Sequence, residues 1–187
     1  MSRTAAFALF AAAAAAAALI PLSADAQFSV KAGATFASTT ESEFVPDVSN
    51  RTGFAAGIGY GFPLGSGAFS LHLEGLYVQK GGDLGVNGTL DIDELDFPIL
   101  LQWKIPIAFL SPFLYAGPQA EFELSCTAAD IDCVDTESLR WGGVLGLGAR
   151  FGQRFTGELR YNGTWSEISK VSDAKPRTIL LLAGLTF

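Results

Sequence analysis

Ser70, His72 and Glu74 are the clearest candidates for covalent chemistry, because they occupy alternate positions of the segment SLHLEG. Successive residues of a β-strand point to opposite faces, so these three side chains would share one face of a strand. A hydroxyl, an imidazole and a carboxylate could act as nucleophile, general base and orienting group in acyl hydrolysis. The same spacing arises on any polar strand face, and we favour that interpretation, which predicts no catalytic residue and no enzyme.

Two acidic groups and one glycine run could hold a metal ion or a cofactor. The acidic groups are Asp91, Asp93, Glu94 and Asp96, and separately Asp130, Asp132 and Asp135. Both lack the glycine and the spaced glutamate of a calcium-binding loop, so solvated acidic loops are the better interpretation. The glycine run 142–148 is followed by further strand residues and a turn, whereas a dinucleotide motif needs a following helix. We therefore predict no cofactor and no metal.

The first residues of the chain differ from the rest. Arg3 precedes an apolar, alanine-rich run, Ala5–Ile20, and small residues lead up to Ala26. This pattern is typical of a secretory signal peptide over residues 1–26, cleaved before Gln27. The remaining residues, 27–187, are one domain's length of chain. The net charge of −7 lacks the basic character of a nucleic-acid-binding domain, so no nucleic-acid partner is expected.

The segment FTGELRYNGTW, residues 155–165, shows the alternation that organises the chain. Every second residue from Phe155 to Trp165 is apolar, and every residue between them is polar. A period of two predicts a strand with one apolar face and one polar face. Aromatic residues at both ends of the apolar face indicate a bilayer rather than a soluble core as its surroundings.

Eight stretches of this kind follow residue 26, joined by loops that alternate between long and short. The long polar loops are residues 38–51, 81–93, 125–138 and 166–176, and the intervening connections are tight. An even strand number with this asymmetry is typical of outer-membrane barrels, which have long extracellular loops and short periplasmic turns. The predicted fold class is therefore all-β: an eight-stranded antiparallel up-and-down transmembrane β-barrel, with both termini periplasmic.

Aromatic residues recur near both ends of the apolar faces. Phe28 and Phe36 are eight residues apart, and so are Phe54 and Phe62. Eight residues of a tilted strand span roughly 20 Å of bilayer, close to the height of the apolar band of such barrels. The predicted membrane-interface aromatics are Phe28, Phe36, Phe54, Phe62, Phe69, Tyr77, Trp103, Trp141, Phe151, Phe155, Trp165 and Phe187.

The polar faces would then line the lumen, where ions must be paired. A barrel of eight strands is only wide enough for side chains to fill it. Buried charges are tolerated when they are paired and hydrogen-bonded, so we predict a plugged interior with an ionic network. Its predicted members are Lys31, His72, Glu74, Asp96, Lys104, Glu121, Arg140, Arg150, Glu158 and Arg160.

Cys126 and Cys133 are the only cysteines, and they flank a polar segment of an exported chain. Cysteines in that environment most often pair, and no histidine or further cysteine lies nearby to complete a metal site. We predict a disulfide between Cys126 and Cys133.

The chain resembles the PorT-like outer-membrane β-barrel domain family of Gram-negative bacteria. The segments that carry the resemblance are FSVKAGATFAS, LHLEGLYVQKGG, LDFPILLQWKI, SPFLYAGPQAEF and ELRYNGTW, and the most specific are residues 95–98 and 116–118. The resemblance implies an eight-stranded barrel inserted from the periplasm by the barrel assembly machinery, which recognises the aromatic C-terminal strand. It implies no single activity.

These patterns together predict a small, non-enzymatic outer-membrane barrel with a structural or surface-interaction role. Its expected partners are outer-membrane lipid, lipopolysaccharide and the assembly machinery, and it is expected to be a monomer. Three alternatives stay open: a lipid-modifying hydrolase that uses His72, a narrow channel for small solutes, and a soluble periplasmic barrel.

Overall fold

The structure is a computed structural model that describes residues 27–39, 49–65, 67–83, 89–105, 110–128, 131–132, 139–152, 154–165 and 176–187. These ranges contain the strands β1 Gln27–Thr39, β2 Ser49–Leu64, β3 Phe69–Asp83, β4 Thr89–Lys104, β5 Ser111–Ala128, β6 Ile131–Asp132, β7 Leu139–Phe151, β8 Phe155–Thr164 and β9 Pro176–Thr186. No helix within the described ranges is both long and apolar enough to cross a membrane.

Strand β8 has the burial pattern of a barrel whose apolar face points outward. Its polar residues are buried and alternate with exposed or half-buried apolar residues. Arg160 is fully buried, whereas 63% of Phe155 is exposed. The same inversion holds for the other long strands, because leucines and phenylalanines cover the outside while charged and amide side chains lie within. This arrangement suits an apolar solvent around the barrel and a polar lumen.

The strands close into a ring of antiparallel pairs. Each long strand pairs with the next along the chain, β5 pairs with β7, and β1 closes the ring against β9. The short strand β6 pairs only with the end of β5, from Thr127 to Ala128, and stands outside the ring. The predicted fold class, a closed eight-stranded antiparallel all-β barrel, is therefore confirmed.

Two of the tight connections lie at the same end of the barrel, which we call the turn side. Gly65 and Gly67 in the β2–β3 turn have φ values of 56° and 83°, and Gly152 in the β7–β8 turn has 63°. Only glycine adopts such values without steric cost, so these residues allow the chain to reverse within a few positions. The opposite end, where the long loops leave the strands, is the loop side.

The strands extend further toward the loop side than the sequence predicts. Residues 81–93 were expected to form a polar loop, yet β3 and β4 stay paired as far as Asp83 opposite Thr89. Backbone hydrogen bonds continue along an antiparallel pair whatever the polarity of its side chains. Hydrophobic alternation therefore predicts the membrane-facing part of a strand. It does not predict the polar residues by which the same strand continues beyond that part.

The lumen also contains apolar side chains. One buried cluster joins Ala55, Leu76, Val78, Leu180 and Leu182, and a second joins Leu100, Phe113, Tyr115 and Val144. Glycines of β7 make room for the aromatic rings, because a Cβ atom at Gly146 would collide with Tyr115 and one at Gly148 with Phe113. The inward-facing glycines of the run 142–148 thus leave space in the lumen for these rings.

Candidate functional site

Ion pairs form a central cluster of Lys31, Glu74, Tyr115, Glu158 and Arg160 halfway along the lumen. Lys31 Nζ lies 2.7 Å from Glu74 Oε1 and 2.6 Å from Glu158 Oε1. Arg160 Nη2 lies 2.7 Å from Glu74 Oε2 and 3.4 Å from Glu158 Oε2. The Tyr115 hydroxyl donates to Glu158 at 3.0 Å and accepts from Arg160 Nε at 3.1 Å. Each carboxylate thus contacts both cations.

Glycines on the neighbouring strands give these long side chains their space. Lys31 stands directly opposite Gly57 on β2 and Gly184 on β9. Glu74 stands opposite Gly59, and Arg160 stands opposite Gly146. With no side chain beside it, Lys31 reaches past both neighbours to carboxylates on β3 and β8. Small residues opposite bulky ions allow a narrow barrel to hold them.

A second set of ions, the loop-side cluster, consists of Lys80, Glu94, Asp96, Glu121, Glu123 and Arg140. Lys80 Nζ lies 2.6 Å from Glu94 Oε2, 3.5 Å from Glu121 Oε2 and 3.7 Å from Asp96 Oδ2. Arg140 forms ion pairs with Glu94, with Glu121 at 3.7 Å and with Glu123 at 3.1 Å. Every one of these charged groups lies inside the barrel wall and is buried or half-buried.

Neutral donors supplement the two cations of the loop-side cluster. Gln119 Nε2 donates to Asp96 Oδ2 at 3.1 Å and to Glu121 Oε1 at 2.8 Å. Asn162 Nδ2 donates to Gln119 Oε1 at 3.2 Å, and the Thr164 hydroxyl donates to Glu121 Oε2 at 3.1 Å. The other oxygen of Asp96, Oδ1, is buried without a hydrogen-bond partner. Arg140 Nε is likewise buried without a hydrogen-bond acceptor, so the cluster leaves one carboxylate oxygen and one donor unsatisfied.

The three residues considered for hydrolysis all lie within the lumen. Ser70 Oγ is 3.0 Å from His72 Nε2, so the predicted nucleophile and base are in hydrogen-bond contact. Both oxygens of Glu74 instead face the cations Lys31 and Arg160. Ser70, His72 and Glu74 are each at least nine-tenths buried, and their side chains point away from the outer, lipid-exposed face. The serine–histidine contact is present, and the expected orienting carboxylate is engaged elsewhere.

Lys104 and Arg150 lie away from both clusters, at the turn-side mouth of the lumen. The sequence predicted them as members of the ionic network, but neither forms an ion pair with a described residue. Arg150 Nη2 donates to Gln27 Oε1 at 2.8 Å. Both side chains line an open cavity of about 360 Å³. They differ from the prediction because they lie at strand ends, where no described carboxylate lies within ion-pair distance of either side chain.

The predicted interface aromatics all lie on the outer face. Phe28 and Tyr77 are half-buried and the others are exposed. Those near the turn side are Phe28, Phe62, Phe69, Trp103, Phe151, Phe155 and Phe187, and those near the loop side are Phe36, Phe54, Tyr77, Trp141 and Trp165. Some pack against one another, as Phe54 and Tyr77 do with ring centroids 5.5 Å apart. Their role at a membrane interface stays a prediction.

The cysteines and the acidic groups are only partly described. Cys126 lies near the loop-side end of β5, whereas Cys133 falls outside the described residues, so their pairing stays a prediction. Asp130 and Asp135 also fall outside. Within the described part of the chain, no group of three or more potential ligands is arranged to hold a metal ion.

Sequence reasoning missed three ions of the loop-side cluster, Lys80, Glu94 and Glu123, and the neutral donors beside them. Lys80 continues the buried series of β3, but it was placed at the strand end beside two glycines. Glu94 shares a face with Asp96, but it belongs to the acidic group that the sequence predicts to be solvated. Gln119 and Asn162 carry no charge, although both lie on predicted inward faces. Extending the period of two by one residue pair on β3 and β4 would have found Lys80 and Glu94.

Several solved structures are similar to this chain. Neisserial surface protein A is 16% identical, with a TM-score of 0.58 over 85% of this chain and 95% of that one. OprG of Pseudomonas aeruginosa is 13% identical, with a TM-score of 0.50 over 87% and 96% of the two chains. Ail of Yersinia pestis is 18% identical, with a TM-score of 0.48 over 87% and 99%. At these identities the similarity concerns the fold. A search of curated protein sequences found no match.

A family model gives the more specific result. The model described as "Outer membrane protein beta-barrel domain" matches residues 4–187, which is nearly the whole chain. Its description agrees with the closed ring of eight long strands described above. The chain belongs to the family of outer membrane protein β-barrel domains.

Proposed function

We propose that this barrel is a filled scaffold that supports four surface loops, with a structural or interaction role at the outer membrane and no catalysis. The observation that carries this proposal is the lumen itself. The largest fully buried side chains include Arg140, Arg160, Leu76 and Leu100, and the arginines are tied to carboxylates on other strands. A narrow barrel filled in this way suits mechanical support better than transport.

The proposal includes an orientation and a set of partners. The long loops would be extracellular and both termini periplasmic, since outer-membrane barrels have this asymmetry. Outer-membrane lipid and lipopolysaccharide would surround the barrel, which would act as a monomer. A signal peptide over residues 1–26 would direct export, and the assembly machinery would recognise the last strand. The finer assignment to PorT-like proteins rests on the segment resemblance alone.

Envelope fractionation would test the location. We expect the protein in the outer-membrane fraction, retained through a carbonate wash, with a gel mobility that changes on heating as for folded barrels. Release by carbonate would support a soluble periplasmic barrel instead. For the orientation, an epitope tag inserted at Gly88, in the predicted β3–β4 loop, should be accessible to antibody on intact cells. The same tag at Ser66, in the predicted β2–β3 turn, should be accessible only after lysis, and the reverse result would contradict the orientation.

Conductance measurements would test the filled lumen. Purified barrel in a planar bilayer should give no stable conductance, because ion pairs and apolar clusters occupy the interior. A known small-solute porin in the same bilayer is the positive control. Steady, reproducible conductance steps from the folded protein would favour the channel hypothesis over the scaffold.

A hydrolase is the second candidate, and the contact of 3.0 Å between Ser70 Oγ and His72 Nε2 is the observation in its favour. The purified barrel would be incubated with lipopolysaccharide and phospholipid, and released fatty acid would be measured. We expect no release above background from the wild type or from His72→Ala. Release by the wild type that His72→Ala abolishes would establish the hydrolase and refute the scaffold without catalysis.

A further inference from the structure

The turn-side mouth of the lumen is a pocket with a distinct composition. It has a volume of about 360 Å³ and is lined by Gln102, Lys104, Ser111, Phe113 and Arg150, among others. This volume falls within the range of small-molecule sites. Backbone hydrogen bonds hold its rim, since Lys104 N donates to Ala68 O at 2.8 Å. The pocket is therefore built from strand ends, and the rigid barrel wall supports it.

The charge of this pocket is unbalanced. Lys104 and Arg150 both line it, and none of its described lining residues is acidic. Deeper in the lumen, Lys31, Lys80, Arg140 and Arg160 each lie within 4 Å of two or more carboxylates. Two like charges in one concave space repel each other, and an anion between them would relieve that repulsion. Lys104 and Arg150 therefore form a cationic site for which none of the described lining residues supplies a counterion.

The pocket ends within the barrel. Gln102, Phe113 and Arg150 also line a second cavity below it, which has a volume of only about 20 Å³. That space suffices for about one water molecule. At its far side, Glu158 is already engaged with Lys31 and Tyr115. Among the residues that line this second cavity, the only carboxylate is therefore one that already has partners, and the space between these residues is too small for an organic anion.

We propose that the turn-side mouth binds a small anion that carries phosphate or carboxylate groups, with Lys104 and Arg150 as its counterions. The guanidinium of Arg150 suits bidentate contact with either group, and Lys104 adds a point charge. Gln102 and Ser111 offer an amide and a hydroxyl for further hydrogen bonds, and Phe113 offers an apolar surface to an organic part. The inference goes beyond the proposed scaffold function and does not depend on it.

Two sources could supply the phosphate form of this ligand: a free soluble anion or the headgroup of an anionic phospholipid. The first arm of the test titrates inorganic pyrophosphate and succinate into the full barrel in an uncharged maltoside detergent, followed by amide chemical shifts. The second arm measures retained phosphatidylglycerol by native mass spectrometry. Saturable shifts near Lys104 and Arg150 identify a soluble anion, and retained lipid identifies a headgroup.

The variants Lys104→Gln and Arg150→Gln should each weaken binding at least about tenfold, because each removes one charged contact. Arg154→Gln is the matched control, since Arg154 is an exposed cation on the same side but is not among the pocket-lining residues. It should leave binding unchanged. Heat-modifiable mobility verifies that each variant is folded, and the two single variants act as independent measurements. Absence of saturable binding in both arms, or an equal loss with Arg154→Gln, would overturn the proposal.

Discussion

The two ion clusters fill the same lumen but balance their charges differently. In the central cluster, Lys31 and Arg160 meet Glu74 and Glu158, and each carboxylate contacts both cations. In the loop-side cluster, two cations meet the four carboxylates Glu94, Asp96, Glu121 and Glu123. The first cluster has equal numbers of opposite charges, and the second has an excess of negative charge.

The strand registers explain the difference. Central ions stand opposite glycines, as Glu74 does with Gly59, so no like charge is adjacent. In the loop-side cluster, Asp96 stands directly opposite Glu121, and Glu94 stands opposite Glu123. Like charges directly across a strand pair repel each other. Removing one charge from the balanced cluster should therefore cost much more than removing one carboxylate charge from the acidic cluster.

The largest expected effect is that of Arg160→Leu. Arg160 is fully buried and holds Glu74, Glu158 and Tyr115, so its loss leaves two carboxylates with a single cation. Breaking a buried ion pair from one side costs roughly 3–5 kcal/mol. Urea unfolding of barrels reconstituted in lipid vesicles, followed by tryptophan fluorescence, would measure it. The variant should still fractionate with the outer membrane, since its outer face is unchanged, and loss of that location would contradict the lumen orientation.

Glu74→Gln should have the next largest effect. The two oxygens of Glu74 contact Lys31 and Arg160, each at 2.7 Å, and an amide would present hydrogens to one of these cations. The cluster would also carry an uncompensated positive charge. We expect the free energy of unfolding to fall by about 3 kcal/mol. The same urea titration would show it as a lower midpoint, and an unchanged midpoint would mean that the central charges are not balanced as described.

The sequence predicted the fold and the face of nearly every ion, because a period of two fixes which side of the wall a residue occupies. It did not predict which ions pair. Lys31 forms ion pairs with carboxylates on β3 and β8, whereas its own strand, β1, pairs with β2 and β9. Such contacts depend on strand stagger and side-chain length, neither of which appears in a hydrophobic pattern.

The hydrophobic pattern also did not predict that the lumen ions form two separate clusters. The predicted network lacks three of the six ions of the loop-side cluster, Lys80, Glu94 and Glu123, all of which lie near the loop-side ends of their strands. Lys104 and Arg150 share faces with lumen residues, yet their places at strand ends put them at the mouth. The alternation of polar and apolar residues shows which face of the barrel wall a residue occupies. How deep that residue lies along the lumen depends on the strand register, which the alternation does not give.

Two glycines with different surroundings provide a test of lumen packing, and its expected effect on the free energy of unfolding is intermediate. A Cβ atom at Gly146 would collide with the ring of Tyr115 and so disturb the central cluster, whereas one at Gly157 would meet only Phe151, at 3.6 Å. Gly146→Ala should lower the free energy of unfolding by roughly 1–3 kcal/mol through overpacking. Gly157→Ala, an outward position of the adjacent strand, is the control and should unfold at the wild-type midpoint. Equal midpoints for both variants would mean that the space around Tyr115 is not tightly filled.

The smallest expected effect, that of Asp96→Asn, is also the sharpest test of the difference between the clusters. The substitution matches Glu74→Gln chemically, because each replaces one buried carboxylate by its amide. The retained oxygen of the asparagine can still accept from Gln119 and Asn162, and the new amide replaces Oδ1, which has no donor. Repulsion from Glu121, directly opposite, would fall at the same time. We expect a free energy of unfolding within about 1 kcal/mol of the wild type. If Asp96→Asn destabilised the barrel as much as Glu74→Gln, the loop-side carboxylates would all be required, and the distinction between a balanced cluster and an acid-rich one would have no energetic meaning.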